Sequence, residues 1–262
     1  MAIAIATLPN VPYQMGNPLP PMVHNAPPVF AYNWNTARVT TATGPGFSGT
    51  TLVTLTLIAG GDTIFLPYGQ NEIHSVYLPM AALAAAGVTC FTTANLSGCR
   101  LYIDQVVGTN DLVIYHANSI AVGAGAAAPP NPMNMDHESV ALAQALDALH
   151  MAARAYWTTP APAGPGLNLT AVRSLGITTY NTCAVEEMQR KLDDGRTNVV
   201  FWGGTTVVGV LTPGGWQMHW QTYGDTTYTR PDLAPKGWIE GQNKVPTGGL
   251  NYRVLRSRQW YP

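Results

Sequence analysis

The sequence predicts an α+β fold: a sandwich of mixed and antiparallel β-sheets with two or three outer helices. Three features point to it. Stretches that alternate Thr with aliphatic residues recur along the chain, which is the period of half-buried strands. Gly and Pro, 26 and 21 of the 262 residues, break the chain into short segments. Apolar stripes at helical spacing occur in only a few places, too few to alternate with every strand.

The elements follow in order. Pro9, Pro12, Pro18, Pro20, Pro21, Pro27 and Pro28 make residues 1–35 an extended or irregular arm, leaving 36–262 as one domain. Residues 50–58 (Thr-Thr-Leu-Val-Thr-Leu-Thr-Leu-Ile) read as a strand. Gly60-Gly61-Asp62 then turns the chain, and residues 63–66 return as the second arm of a hairpin. Pro79 followed by an Ala-rich run up to Gly87 predicts a short helix. Residues 88–93 are β-rich. Residues 100–107 and 111–116 flank Gly108-Thr109-Asn110 and predict a second hairpin. The Ala/Gly stretch 121–128 reads as a connection. Leu142, Leu146, Leu149, Ala153 and Tyr156 form one stripe of a helix over 138–156, with Asp136 as its N-cap. A second helix is expected over 184–193, with Val185, Met188 and Leu192 on one face and Gly195 beyond its end. Strands are expected at 198–202 and 205–211 around Gly203-Gly204, at 216–223, and near 251–256.

Composition excludes several function classes. Charged residues are only 10% of the chain, the net charge is −1 and the pI about 6.6. No Lys/Arg cluster suits nucleic acid; Arg253, Arg256 and Arg258 form too short a run among aromatics. No apolar run is long enough for a membrane span, and residues 1–7 lack the basic start of a secretory leader. Cys90, Cys99 and Cys183 are too few for a disulfide framework. There is no serine-nucleophile elbow, phosphate loop or dinucleotide fingerprint; the glycine pairs fall between strands. His137, Glu138 and His150 lack the i, i+4 spacing of helical metal ligands, so neither metal nor cofactor is expected. His219, between Met218 and Trp220, reads as a packed strand residue.

What remains is Cys99, after Gly98, and His116, after Tyr115. One strand out and one back separate them. A thiol beside an imidazole supports acyl chemistry without a metal. The turn residues place the two side chains diagonally, unless a bulge pairs them directly. Backbone N–H groups of Ser97 and Gly98 are natural oxyanion donors. Thr93, Asp104, Asn118 or a backbone carbonyl could orient the ring. The competing reading is a buried structural Cys and an unrelated strand-end His.

Leu96-Ser97-Gly98-Cys99, with Thr93 before it and Tyr115-His116 after, resembles the active-site signature of the Burkholderia lethal factor family. It is more distantly similar to the catalytic domain of the cytotoxic necrotizing factors. The segments 64–68, 70–76, 207–212 and 216–223 extend the resemblance over roughly residues 50–230. The interval from Cys to His is longer here. The resemblance implies a toxin-type protein-glutamine deamidase with Cys99 as nucleophile, His116 as acid–base and Thr93 as the group orienting the ring. The partner would be a host protein bearing a reactive glutamine, and the chain a monomeric bacterial effector acting in a host cytoplasm. Two alternatives stand beside it. One is a non-enzymatic β-rich glycan- or protein-binding module using Trp202, Trp216, Trp220, Trp238 and Trp260. The other is a Cys-His protease or acyltransferase.

Overall fold

The computed structural model describes residues 13–15, 29–32, 36–44, 52–96, 98–118, 140–182, 197–228 and 252–262. They form a sandwich of two mixed β-sheets with few helices. The strands are β1 (Tyr13–Met15), β2 (Val29–Tyr32), β3 (Thr36–Gly44), β4 (Leu52–Ala59), β5 (Thr63–Leu66), β6 (Ile73–Leu78), β7 (Cys90–Thr93), β8 (Arg100–Val106), β9 (Leu112–Ala117), β10 (Leu169–Leu175), β11 (Thr197–Thr212), β12 (Gly215–Tyr228) and β13 (Tyr252–Tyr261). The larger sheet runs β1-β4-β3-β5-β7-β11-β12-β13, the smaller β10-β8-β9-β6-β2. Most neighbours are antiparallel, but β1 with β4, β5 with β7 and β2 with β6 are parallel. Two pieces of the Pro-rich stretch are thus strands, β1 in one sheet and β2 in the other.

The sheets pack face to face. Ile64, Leu66, Phe91, Trp216 and Met218 of the larger sheet meet Val76, Leu78, Ile103, Leu112 and Ile114 of the smaller. Alternation along each strand supplies this inner layer, and Leu83 and Val88 close one end of it. Trp216 and Trp220 are fully buried, so neither offers a binding platform. Helix α1 (Met80–Ala85) begins after Pro79, and Gly87 lies beyond its end. Helix α2 (Val140–Thr158) covers the outer face of the smaller sheet. Its buried residues are Leu146, His150, Ala153 and Trp157, a line shifted from the expected stripe. Leu142, Leu149 and Tyr156 flank it, partly buried. The shift follows from Trp157, whose indole N–H donates to Ser75 Oγ at 2.8 Å and brings that edge of the helix down.

One expected pairing is wrong. β4 and β5 are not a hairpin, because β3 lies between them. β3 pairs with β4 from Ala37↔Ala59 to Gly44↔Leu52, and with β5 through Thr36↔Ile64 and Ala37↔Thr63. Alternating hydrophobicity identifies a strand but not its neighbour. The Gly60-Gly61 turn carries the chain past β3 rather than back along β4. The strands expected on either side of Gly203-Gly204 are one strand, β11, whose register against β12 shifts between Trp202 and Gly204. Glycine there marks a bulge, not a strand end. The helix expected at 184–193, its Cys183 neighbour and the N-cap Asp136 lie outside the described residues. Among the described residues no helix is long and apolar enough to cross a membrane.

Candidate active site

The β8–β9 hairpin fixes the geometry of Cys99 and His116. Its ladder runs from Gln105↔Leu112 through Leu101↔His116 to Arg100↔Ala117 without a bulge. One position further, Cys99 lies opposite Asn118. Cys99, Leu101, His116 and Asn118 therefore share the inner face, with Cys99 diagonal to His116. Such diagonal neighbours have Cα atoms about 7–8 Å apart. Direct pairing is excluded by the register, and the diagonal arrangement is the one the turn residues imply.

The two side chains are brought to one patch but not into contact by a hydrogen bond. Cys99 and His116 are both fully buried. Among the described residues neither ring nitrogen of His116 has a hydrogen-bond partner. Burial, and secondarily the charge of His74, hold its pKa down at about 3. His116 is therefore neutral at pH 7. Tyr68, 50% exposed, stacks over the ring with centroids 5.8 Å apart.

The sulfur meets a different group. Asn118 Nδ2 donates to Cys99 Sγ at 3.1 Å. The Asn118 backbone N–H is fixed by Glu72 O at 2.9 Å. Gly98 has φ +97, a left-handed conformation that only glycine adopts easily, and it swings the chain into β8. Its N–H donates to the Tyr180 hydroxyl at 3.1 Å, and that hydroxyl donates to Cys99 O at 2.7 Å. Tyr180 sits in a short π-helical turn, Thr178–Thr182. The expected oxyanion donor Gly98 N–H is thus engaged by a phenol, and Ser97 lies outside the described residues. Thr93 does not orient the imidazole: its hydroxyl donates to Ala94 O at 2.7 Å.

His116 belongs to a single row that crosses the smaller sheet. The register sets Phe30 beside His74, His74 beside His116, His116 beside Leu101 and Leu101 beside Leu175. His74 stacks on Phe30, centroids 4.9 Å apart, and its Nε2 lies 3.0 Å from Glu72 Oε2. Burial lowers the His74 pKa, and Glu72 opposes that by hydrogen bond and charge. Gly69 lets this carboxylate in, because a Cβ there would overlap it. The sequence offered no signal for Tyr180, remote in the chain, or for the Tyr68 cover. Asn118 was among the candidates for the ring, but it contacts the sulfur instead.

A second polar group lies on the outer face. Asp104, fully buried, accepts from the Tyr115 hydroxyl at 3.1 Å, and its Oδ2 lies 3.3 Å from Arg154 Nε and 3.4 Å from His150 Nε2. Asp104 thus faces α2, away from His116, and cannot orient that ring. His150 stacks on Tyr102 at 4.1 Å. His150, which its spacing from His137 set aside as a metal ligand, is buried against the sheet. Among the described residues no group of three or more His, Cys, Asp or Glu is placed to hold a metal ion. No protein-family model matches this chain, and no curated protein matches it.

Proposed function

We propose that the chain is a cysteine-dependent protein-glutamine deamidase of toxin type, related in its active-site pattern to the Burkholderia lethal factor. The observation that carries the reading is the shared inner face of Cys99 and His116, with both imidazole nitrogens unpartnered. A buried polar side chain without partners carries a desolvation cost, and such groups are concentrated at reacting centres.

In this reading Cys99 Sγ attacks the glutamine carboxamide and its proton passes to His116. The carbon–nitrogen bond breaks and His116 delivers the proton to departing ammonia. A water then gives its proton to His116 and attacks the thioester, releasing glutamate and restoring the thiol. An amine in place of water would make the product an isopeptide. The site as it stands is closed: substrate must displace Tyr68, and water admitted with it raises the basicity of His116 by relieving its burial. The partner is a host protein with a reactive glutamine, and the effector acts as a monomer in the host cytoplasm.

The test is incubation with a eukaryotic cytosolic extract, reading Gln-to-Glu mass changes and released ammonia for wild type, Cys99→Ser and His116→Ala. Wild type alone should give modified sites. Equal patterns in all three, or none in any, would sink the reading for that target pool. The complete burial of Cys99 and His116 favours a second reading, a non-enzymatic β-rich binding protein in which both are inert. In that case a thiol-directed alkylator labels Cys99 no faster than a buried structural thiol.

A further inference from the structure

The chemistry of a thiol nucleophile depends on what stabilises its thiolate. In Cys-His enzymes that group is ordinarily the imidazolium. Here His116 is buried, neutral and without a hydrogen bond on either nitrogen, so it supplies no charge to the sulfur. A donor that reaches Cys99 Sγ is the Asn118 carboxamide, at 3.1 Å. Asn118 is itself only 6% exposed, and its Oδ1 has no hydrogen-bond partner among the described residues. Its side chain is therefore tied to the site through the sulfur contact. The backbone bond to Glu72 and the end of the β8–β9 ladder hold it there. A buried amide whose one side-chain bond ends on a thiol is poorly explained by packing, since it leaves an acceptor empty in the core.

We propose that Asn118 is a catalytic residue of this site, its Nδ2–H group stabilising the Cys99 thiolate. The inference rests on Cys99 being the nucleophile. A hydrogen bond to the charged form of an acid lowers its pKa, and a bond to an ionised acceptor is stronger than one to a neutral acceptor. Asn118 exchanges no proton. The thiol proton still leaves through His116 to the departing ammonia, while Asn118 holds the sulfur's negative charge before attack and again when the thioester collapses. The empty Oδ1 lies beside the same sulfur, where an N–H of an incoming carboxamide can meet it.

The experiment follows the ¹³Cβ shift of Cys99 with pH in the full chain, assigned with Cys99→Ser, for wild type, Asn118→Leu and Asn118→Asp. Leu removes the donor at similar volume, and Asp replaces it with a negative charge. Both should raise the midpoint, Leu by about one pH unit and Asp by more. A Leu midpoint equal to wild type overturns the proposal, even if Asp shifts, because charge alone would then explain the result. Should either variant fail to fold, wild type decides: the Asn118 side-chain amide proton must move with the same midpoint as the Cys99 carbon. An amide proton indifferent to that titration overturns the proposal. None of these readings requires turnover. A deamidase assay without product therefore leaves the Asn118 result standing, and a negative titration leaves deamidation open.

Discussion

Tyr115 and His116 are neighbours on β9, yet they face opposite sides of the smaller sheet and meet opposite treatment. On the outer face Tyr115, Asp104, His150 and Arg154 converge. The phenol bonds the carboxylate at 3.1 Å, the Arg154 guanidinium and the His150 imidazole lie within 3.4 Å of it, and the Tyr102 ring covers His150. Burial and the charge of Asp104 raise the Tyr115 pKa, so the phenol stays protonated and remains a donor. Asp104 Oδ1 and His150 Nε2 are the exceptions, both buried without a hydrogen-bond partner among the described residues. On the inner face neither nitrogen of His116 has a hydrogen-bond partner among the described residues, and Asn118 Oδ1 likewise has none. Polar residues alone do not distinguish a site from a core. The distinction is whether their hydrogen bonds are spent inside the fold. The outer cluster spends most of its polar contacts on seating α2 through Asp104 Oδ2. On the inner face His116 and the Asn118 carboxamide oxygen leave theirs open.

The sharpest way to break that contrast is to remove the outer carboxylate. Asp104→Ala strands His150 and Arg154 under the helix and should cost about 3–5 kcal/mol. Urea unfolding near pH 7 would show it as a lower midpoint. A loss below about 1 kcal/mol would mean that the cluster is dispensable and the faces are alike.

The inner face predicts a dependence of stability on pH. The folded His116 pKa of about 3 lies below the unfolded value of about 6.5, so the unfolded chain binds the proton first. This contribution is fully present above about pH 6.5 and is lost as pH falls towards 3. Between pH 7 and pH 5 it amounts to about 2 kcal/mol. Titrating carboxylates add their own slope, so the measurement is the difference between wild type and His116→Leu. That difference should shrink to nothing if His116 is hydrated in solution. At pH 7 the same variant removes a buried unpartnered group at similar volume. It should be more stable than wild type by about 1 kcal/mol while losing activity. A variant as active as wild type would place His116 with the core.

How much of this was legible in the sequence divides along the same line. The β8–β9 hairpin was readable because Gly108-Thr109-Asn110 fixes the turn, and the turn fixes which residues share the inner face. Alternation gave the strands and the Leu stripe gave α2. Strand order was not readable, as β3 between β4 and β5 demonstrates, because a half-buried strand accepts several neighbours. The outer cluster was visible only in fragments. His150 and Arg154 are one turn apart on α2, but Asp104 joins them through tertiary packing alone. Tyr180, which clamps Gly98 and Cys99 O, and Tyr68, which covers His116, reach the site from a single π-helical turn and a loop, whose course no periodicity reveals.

The smallest effect expected is also the most local. Gly69→Ala adds a methyl where the Glu72 carboxylate packs, beside His74 Nε2. Glu72 is a flexible, partly exposed side chain, so it can swing outward, and stability should change by less than about 1 kcal/mol. The row should nevertheless register the loss. Glu72 is what raises the His74 pKa against burial, so His74 should titrate lower in the variant. His116 should move little, because burial rather than the neighbouring imidazole is the main cause of its shift. Histidine ring NMR across pH 4–8 follows the His74 midpoint and shows whether His116 stays neutral over the same range. A His74 midpoint that stays put would mean Glu72 is not its partner in solution. One that falls while His116 holds would show that the row's two imidazoles are set by different forces, one by a removable charge and one by enclosure.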